Sequence, residues 1–492
     1  MSEPWVPHPY QTRTVRFGLE HVGALILASP GAGKTACILA MAKILKAKGM
    51  IRKTLVLAPL RVVLDVWAQE GAKWTDFNGL TFAIAHGKHV ESALRSDVDI
   101  VVMNYEGIEA LIDNREKERT TPTFDDLGEK KKRVRKKYYP MTPLSFKKTY
   151  GFDMLVCDEV NKLKNSQSVR FKKLKKYFKS FKRRYGLTGS PGANGCMDLF
   201  GICYVVDSGA TLGEFITHFR ETYFDSDFMG YNWELKLGAD QAIFKKIAPI
   251  SIRIDAADYL TLPQLVTREL EVDLPEKAMT IYREMEKEFI ARVAGGEITA
   301  ANAAAASSKC RQIVGGAVLH DPIPGSSEPR KIEIIHKAKL DVLSDLVDEL
   351  RGEPLLVAYQ YRHEVEMIRV ALGKETPYIG GGVKGPEGQK IIDQWKTGSL
   401  PVLLVNPASA AWGLNLQGSM QHLCWYTQTW DLEQRQQLIA RILRQGSTAD
   451  RVFVYDIVAR RTLDVWRILP AIEKKATLQA ALFAAVKQLG GV

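Results

Sequence analysis

Cysteine and histidine are sparse in this chain, and neither is spaced for a framework or a metal. The six cysteines (Cys37, Cys157, Cys196, Cys203, Cys310 and Cys424) contain no C-x-x-C pair, and the nine histidines form no H-E-x-x-H. That argues against both a structural zinc site and a disulfide framework, so the thiols are expected to be buried and reduced. Long apolar runs are missing too: none approaches the roughly 18 to 20 residues of a membrane-spanning helix. The opening MSEPWVPHPYQTRT lacks the charged, apolar and small-residue zones of a signal peptide, and a soluble, intracellular protein is expected. Acidic residues are outnumbered, 56 against 68 Lys and Arg, for a net charge of +12. Such a surplus suggests a polyanionic partner, although a well-solvated surface would also carry it. With 46% hydrophobic residues over 492 positions, the chain can bury a large core and exceeds one ordinary domain, so two or three are expected.

The basic surplus is concentrated. KKKRVRKK at 130 to 137 is uniformly basic apart from Val134, and RFKKLKKYFKSFKRR at 170 to 184 carries nine Lys or Arg in fifteen residues. In the second run Phe171, Leu174, Tyr177, Phe178 and Phe181 recur at helical spacing, which predicts a helix with a buried stripe and a basic outer face. A lone run of this kind reads as a solubilising face. Two of them flanking an acidic strand end favour a surface for phosphate backbones.

Short apolar strands alternate with helical or polar segments in two series. The first comprises 24–27, 54–59, 80–85, 99–105, 153–159 and 184–190; the second comprises 354–359, 377–381, 401–407, 422–427 and 451–458. That rhythm predicts an α/β protein with two parallel-sheet lobes. Between them, roughly 210 to 335, helical periodicity takes over, and HDPIPGSSEPR at 320 to 330 reads as a linker.

The chemistry begins at ALILASPGAGKT, residues 24 to 35. A strand, a glycine-rich turn and a helix form a loop whose backbone N–H groups can hold a triphosphate; Pro30, Gly31, Ala32 and Gly33 make its wall. Lys34 would reach the β and γ phosphates, and Thr35 would place its hydroxyl on Mg²⁺. The usual first glycine of this motif is Ala28 here. In LVCDEVNKLKN, 155 to 165, the strand stops at two carboxylates. Asp158 would hold Mg²⁺ and Glu159 would take a proton from the attacking water, the two pointing apart by strand alternation.

These segments resemble the Swi/Snf-type ATPases of helicase superfamily two, above all the compact versions encoded by bacteriophages and prophages. The resemblance rests on nine segments in series: HPYQ (8–11), ASPGAGKT, LVLAPLRVVLDVWAQE (55–70), VVMNYE (101–106), DEVNKLKN, GLTGSPGANG (186–195), LLVAYQYRHEVEMI (355–368), NPASAAWGLNLQ (406–417) and QQLIARILRQGS (436–447). It implies two RecA-like lobes at 1–210 and 336–492, with a helical family-specific region and linker at 211–335. ATP would lie in the cleft and nucleic acid across both lobes.

By position, the resemblance implies that Gln11 reads the adenine edge and that Arg441 and Arg444, i and i+3 on one helix with Gln437 a turn earlier, reach the γ-phosphate. Gly413 and Asn415 match the motif that senses nucleotide and DNA. Thr188 and Ser190 match the element that couples them, and Asn161 stands where the family usually places a histidine. Arg61, Lys130, Lys131, Lys132, Arg133, Lys172 and Lys173 are the candidate DNA contacts. The implied function is a monomeric, cytoplasmic DNA-dependent ATPase, using ATP and Mg²⁺, that translocates on or remodels duplex or branched DNA. An RNA helicase and a non-catalytic nucleic-acid-binding module with a vestigial ATP site are the competing readings.

Overall fold

The structure is a computed structural model that describes residues 3–114, 118–124, 130–136, 139–227, 233–254, 263–294, 300–320, 330–380, 386–410, 416, 421–443 and 450–489. Two compact units emerge, each built on a parallel sheet, as the two strand series predict. In the first unit the sheet runs in the order Ser251–Ile254, Gly23–Ala28, Arg183–Thr188, Phe152–Asp158, Lys53–Ala58, Ile100–Asn104, Phe82–Ala85. In the second the order is Gln264–Val272, Arg451–Ala459, His422–Trp425, Leu355–Ala358, Val402–Val405, Tyr378–Ile379.

The central strands have no polar face because helices cover both sides. Gly23–Ala28, Lys53–Ala58 and Phe152–Asp158 are buried almost throughout, and Leu25, Ile26, Leu27, Val56, Val156 and Leu187 are fully enclosed. The second core closes around Trp395, Trp425, Leu403 and Leu423.

Three sequence expectations change. The region 211–335 is not wholly helical: Ser251–Ile254 adds an edge strand to the first sheet, and Gln264–Val272 pairs along nine residues with Arg451–Ala459 in the second. An edge strand needs one apolar face at most, so QLVTRELEV has no buried run to reveal it. Residues Gln479–Val492, assigned to the second lobe by position, cluster with the first unit. There Leu482 and Val486 are buried, Gln479 Nε2 donates to the Pro191 carbonyl at 3.2 Å, and the Arg253 guanidinium lies 3.6 Å from the Phe483 ring centroid. Finally, the expected helix over 170–184 is only Val169–Lys175, followed by a 3₁₀ turn at Phe178–Ser180. The aromatic stripe is buried as predicted, but the Lys182 N–H donates to Asp153 O and Arg183 already begins a strand, so sheet pairing ends the helix.

Candidate active site

Three neighbouring strands of the first sheet end side by side, and each releases a motif at its C-terminal end. Parallel register sets Leu27 opposite Thr188 and Leu187 opposite Asp158. The glycine-rich loop, the LTGS element and the acidic pair therefore converge on the edge of an open α/β sheet where ligands bind.

The loop Pro30, Gly31, Ala32, Gly33 runs into the helix Lys34–Ala47, whose N-cap Gly33 is left-handed (φ 73°, ψ 30°) and offers no side chain to the first amides. Glycine suits position 33 because its left-handed φ strains any other residue; a Cβ there would also lie 2.3 Å from Gln11 Nε2 and push that side chain aside. Gln11 is buried against the loop, its Oε1 accepting from the His8 N–H at 2.9 Å while Nε2 faces the Ala32 carbonyl at 3.5 Å. The Lys34 ammonium donates to Ala28 O at 3.0 Å. Thr35 follows on the first turn, half-buried.

Asp158 is 7% exposed, and burial raises its carboxyl above the usual carboxylate range, opposed by the Lys34 ammonium, the Trp67 indole and the Glu159 amide. The strand stops there. Glu159 turns into the left-handed region (φ 56°, ψ 60°), so it is this turn, not strand alternation, that separates the two acids. Such a conformation costs a non-glycine residue roughly 1 to 3 kcal/mol and persists only where its surroundings impose it. The Tyr105 O–H holds the turn from below, donating to Asp158 O at 2.9 Å. Two residues on, the Asn161 Nδ2 donates to the Ser190 carbonyl at 2.9 Å, and the Ser190 N–H donates to Thr188 Oγ1 at 3.1 Å. The acidic turn and the LTGS element are thus tied by a direct bond.

These donors suit a magnesium nucleotide. The Thr35 hydroxyl and Asp158 carboxylate are hard oxygen ligands, and at Gly33 the backbone is left-handed with only the Gln11 side chain close to where a Cβ would stand.

In the second unit, Gln437 and Arg441 lie one turn apart on the helix Leu432–Ile442. Gln437 is buried, with Nε2 3.3 Å from Glu433 Oε1. The helix is pinned to its sheet by a bidentate pair, Arg435 Nη1 and Nη2 to Asp456 at 2.8 and 2.6 Å. It ends at Ile442, where Leu443 adopts ψ 83°. Arg444, Gly413 and Asn415 lie outside the described residues.

Of the predicted DNA contacts, Lys130, Lys131, Lys132 and Arg133 fall on the strand Lys130–Lys136, paired antiparallel with Glu118–Phe124. Arg61 lies in the helix Leu60–Asp65. The second basic run is largely committed to the protein itself: Arg170 pairs with Glu106 and Lys173 with Glu109, while Arg183 and Arg184 donate to backbone carbonyls. Lys172 is exposed. The run mostly balances local acids and carbonyls, which weakens its reading as a phosphate surface.

Residues 10–316, more than half of the chain, match the SNF2-related domain, and residues 338–446 match the helicase conserved C-terminal domain. The chain belongs to the SNF2-related family. It is 31% identical over 504 residues to protein p41 of Acyrthosiphon pisum secondary endosymbiont phage 1, a match covering 98% of this chain and 99% of that protein. Similar solved structures include the Sulfolobus solfataricus SWI2/SNF2 ATPase core in complex with dsDNA (19% identity, TM-score 0.41, 99% of this chain and 97% of that one). The ATPase core domain from the same organism is also similar (19%, TM-score 0.39, 98% and 89%). Membership places the chain among helicase-type, nucleic-acid-dependent ATPases, a family that implies ATP as its nucleotide.

Beside the motifs of this SNF2-family chain the sequence reading overlooked three side chains: Trp67 and Tyr105, which bond Asp158 in the first unit, and Arg435, which pairs with Asp456 in the second. All lie in or beside segments quoted for the resemblance, but nothing local to a tryptophan or tyrosine says which strand end it will touch. No described helix is long and apolar enough to cross a membrane.

Proposed function

We propose that this chain is a DNA-dependent ATPase that translocates on or remodels duplex or branched DNA, working as a monomer in a bacterial host's cytoplasm in phage replication or recombination. The observation that carries it is the convergence of the glycine loop, the Asp158–Glu159 turn and the Thr188–Ser190 element on adjacent strand ends. In this reading the loop amides and Lys34 bind the phosphates, and Gln11 orients the adenine. Thr35 and Asp158 would hold magnesium, which supplies charge neutralisation at phosphate oxygens when bound. Glu159 accepts the proton of the attacking water, and Gln437, Arg441 and Arg444 act on the transferring phosphoryl group. The test is ATP turnover with duplex, forked or single-stranded DNA or RNA as separate activators. Stimulation by duplex or forked DNA is expected; stimulation by RNA alone replaces this with an RNA helicase, and no turnover with any leaves a binding module.

The basic hairpin strand supports a polyanionic partner independently of the family. Replacing Lys130, Lys131, Lys132 and Arg133 by Ser is expected to flatten the log–log salt dependence of duplex binding by up to about 0.9 per lost phosphate contact, without changing sequence preference. A slope equal to wild type returns the strand to a solvated surface.

We assign the Asn161 to Ser190 bond a coupling role. Asn161→Ala removes a hydrogen bond with a net contribution of about 0.5 to 1.5 kcal/mol. The ratio of DNA-stimulated to basal turnover is expected to fall several-fold while basal hydrolysis and ATP affinity hold. An unchanged ratio makes Asn161 a spectator.

A further inference from the structure

Trp67 opens the helix Trp67–Lys73 and is completely buried, packed in the core of the first unit. A buried indole N–H usually finds an acceptor, and backbone carbonyls are the commonest partners available to it. This one instead reaches a side chain 91 residues away: Nε1 donates to Asp158 Oδ2 at 3.1 Å. The Asp158 backbone is fixed separately by the Tyr105 hydroxyl on its carbonyl.

A carboxylate on a strand end has two soft torsions, and a fixed donor on one oxygen removes that freedom. From this geometry we infer that Trp67 is a positioning residue for the magnesium site: its indole engages Oδ2 of Asp158 and presents Oδ1 to the metal or its water. The inference rests on the reading of Asp158 as the metal-holding residue. It does not make Trp67 catalytic, since the indole acts through Asp158. Outer-sphere partners of this kind orient a ligand before the ion arrives, and removing one typically weakens metal affinity by about 10- to 100-fold.

The test measures binding, not turnover. A fluorescent ATP analogue is titrated onto the full chain across a range of Mg²⁺ concentrations, for wild type, Trp67→Phe and Asp158→Asn. A fourth protein carries β-(3-benzothienyl)alanine at position 67, which keeps the indole's shape and replaces its N–H by sulfur. The Mg²⁺ concentration for half-maximal binding is expected to rise roughly 10-fold in both position-67 variants. Nucleotide binding without Mg²⁺ is expected to stay at the wild-type level, which a general packing defect would not allow. The benzothienyl protein decides the matter if Trp67→Phe folds poorly. A shift in Asp158→Asn but none in the benzothienyl protein overturns the inference alone. No shift in Asp158→Asn overturns both it and the metal assignment beneath it.

Discussion

Replacing Glu159 by Gln is expected to lower the proposed DNA-stimulated ATP turnover by about 10² to 10⁴ while leaving nucleotide and DNA binding close to wild type. The amide keeps the size and the hydrogen-bonding reach of the carboxylate but cannot accept a proton. It also keeps the backbone: Glu159 sits in a left-handed turn braced by Tyr105, and Gln meets the same cost there as Glu. A loss of turnover therefore reports chemistry and not a refolded turn. The contrast is Lys34→Ala, which strips the ammonium from the loop carbonyls and is expected to weaken nucleotide binding together with turnover. Equilibrium binding of a fluorescent nucleotide beside steady-state phosphate release distinguishes the two, and near-wild-type turnover in Glu159→Gln removes it as the general base.

Lys339→Met is expected to be the most destabilising single change in the second unit. The Lys339 ammonium is fully buried and uses its donors on Asp464 Oδ2 (2.6 Å), Ile457 O (2.8 Å) and Tyr426 O (3.2 Å), joining the helix Ala338–Glu349 to three other segments. Methionine fills much of the same volume but leaves the Asp464 carboxylate, 1% exposed, without its counter-charge. Breaking one side of such a pair costs about 3 to 5 kcal/mol, whereas replacing both partners by apolar groups is often neutral. For a unit of this size that is a drop of roughly 6 to 20 °C in Tm. The double variant Lys339→Met with Asp464→Leu should recover most of it. A single-variant Tm within a degree of wild type would show that the pair contributes nothing net.

Some of this molecule is local and therefore legible without a structure. A strand running into SPGAGKT and a helix, or an apolar run ending in Asp-Glu, needs only neighbours within a dozen residues, so the phosphate loop, the acidic pair and the two α/β series could be read directly from the chain. Edge strands carry no such mark. Gln264–Val272 mixes charged, polar and apolar residues with mostly exposed side chains, and only its pairing with Arg451–Ala459 makes it a strand.

Charge is only partly legible for a related reason. Nine basic residues in 170–184 look like a surface for phosphates, but Glu106, Glu109 and Asp153, distant in sequence, are folded against them. A count of charges says nothing about which acids arrive nearby.

The sequence by itself determined which chemical groups this protein owns and the order in which they occur, because the local signals of a glycine loop or an apolar run ending in acids lie in adjacent residues. The tertiary structure alone decided which of them meet. Parallel strands are joined by crossovers that let the strand order in the sheet differ from the order in the chain. That is why the strand ending at Ala28 lies beside the one ending at Thr188, why the next is the one ending at Asp158, and why the indole of Trp67 closes on a carboxylate 91 residues further on.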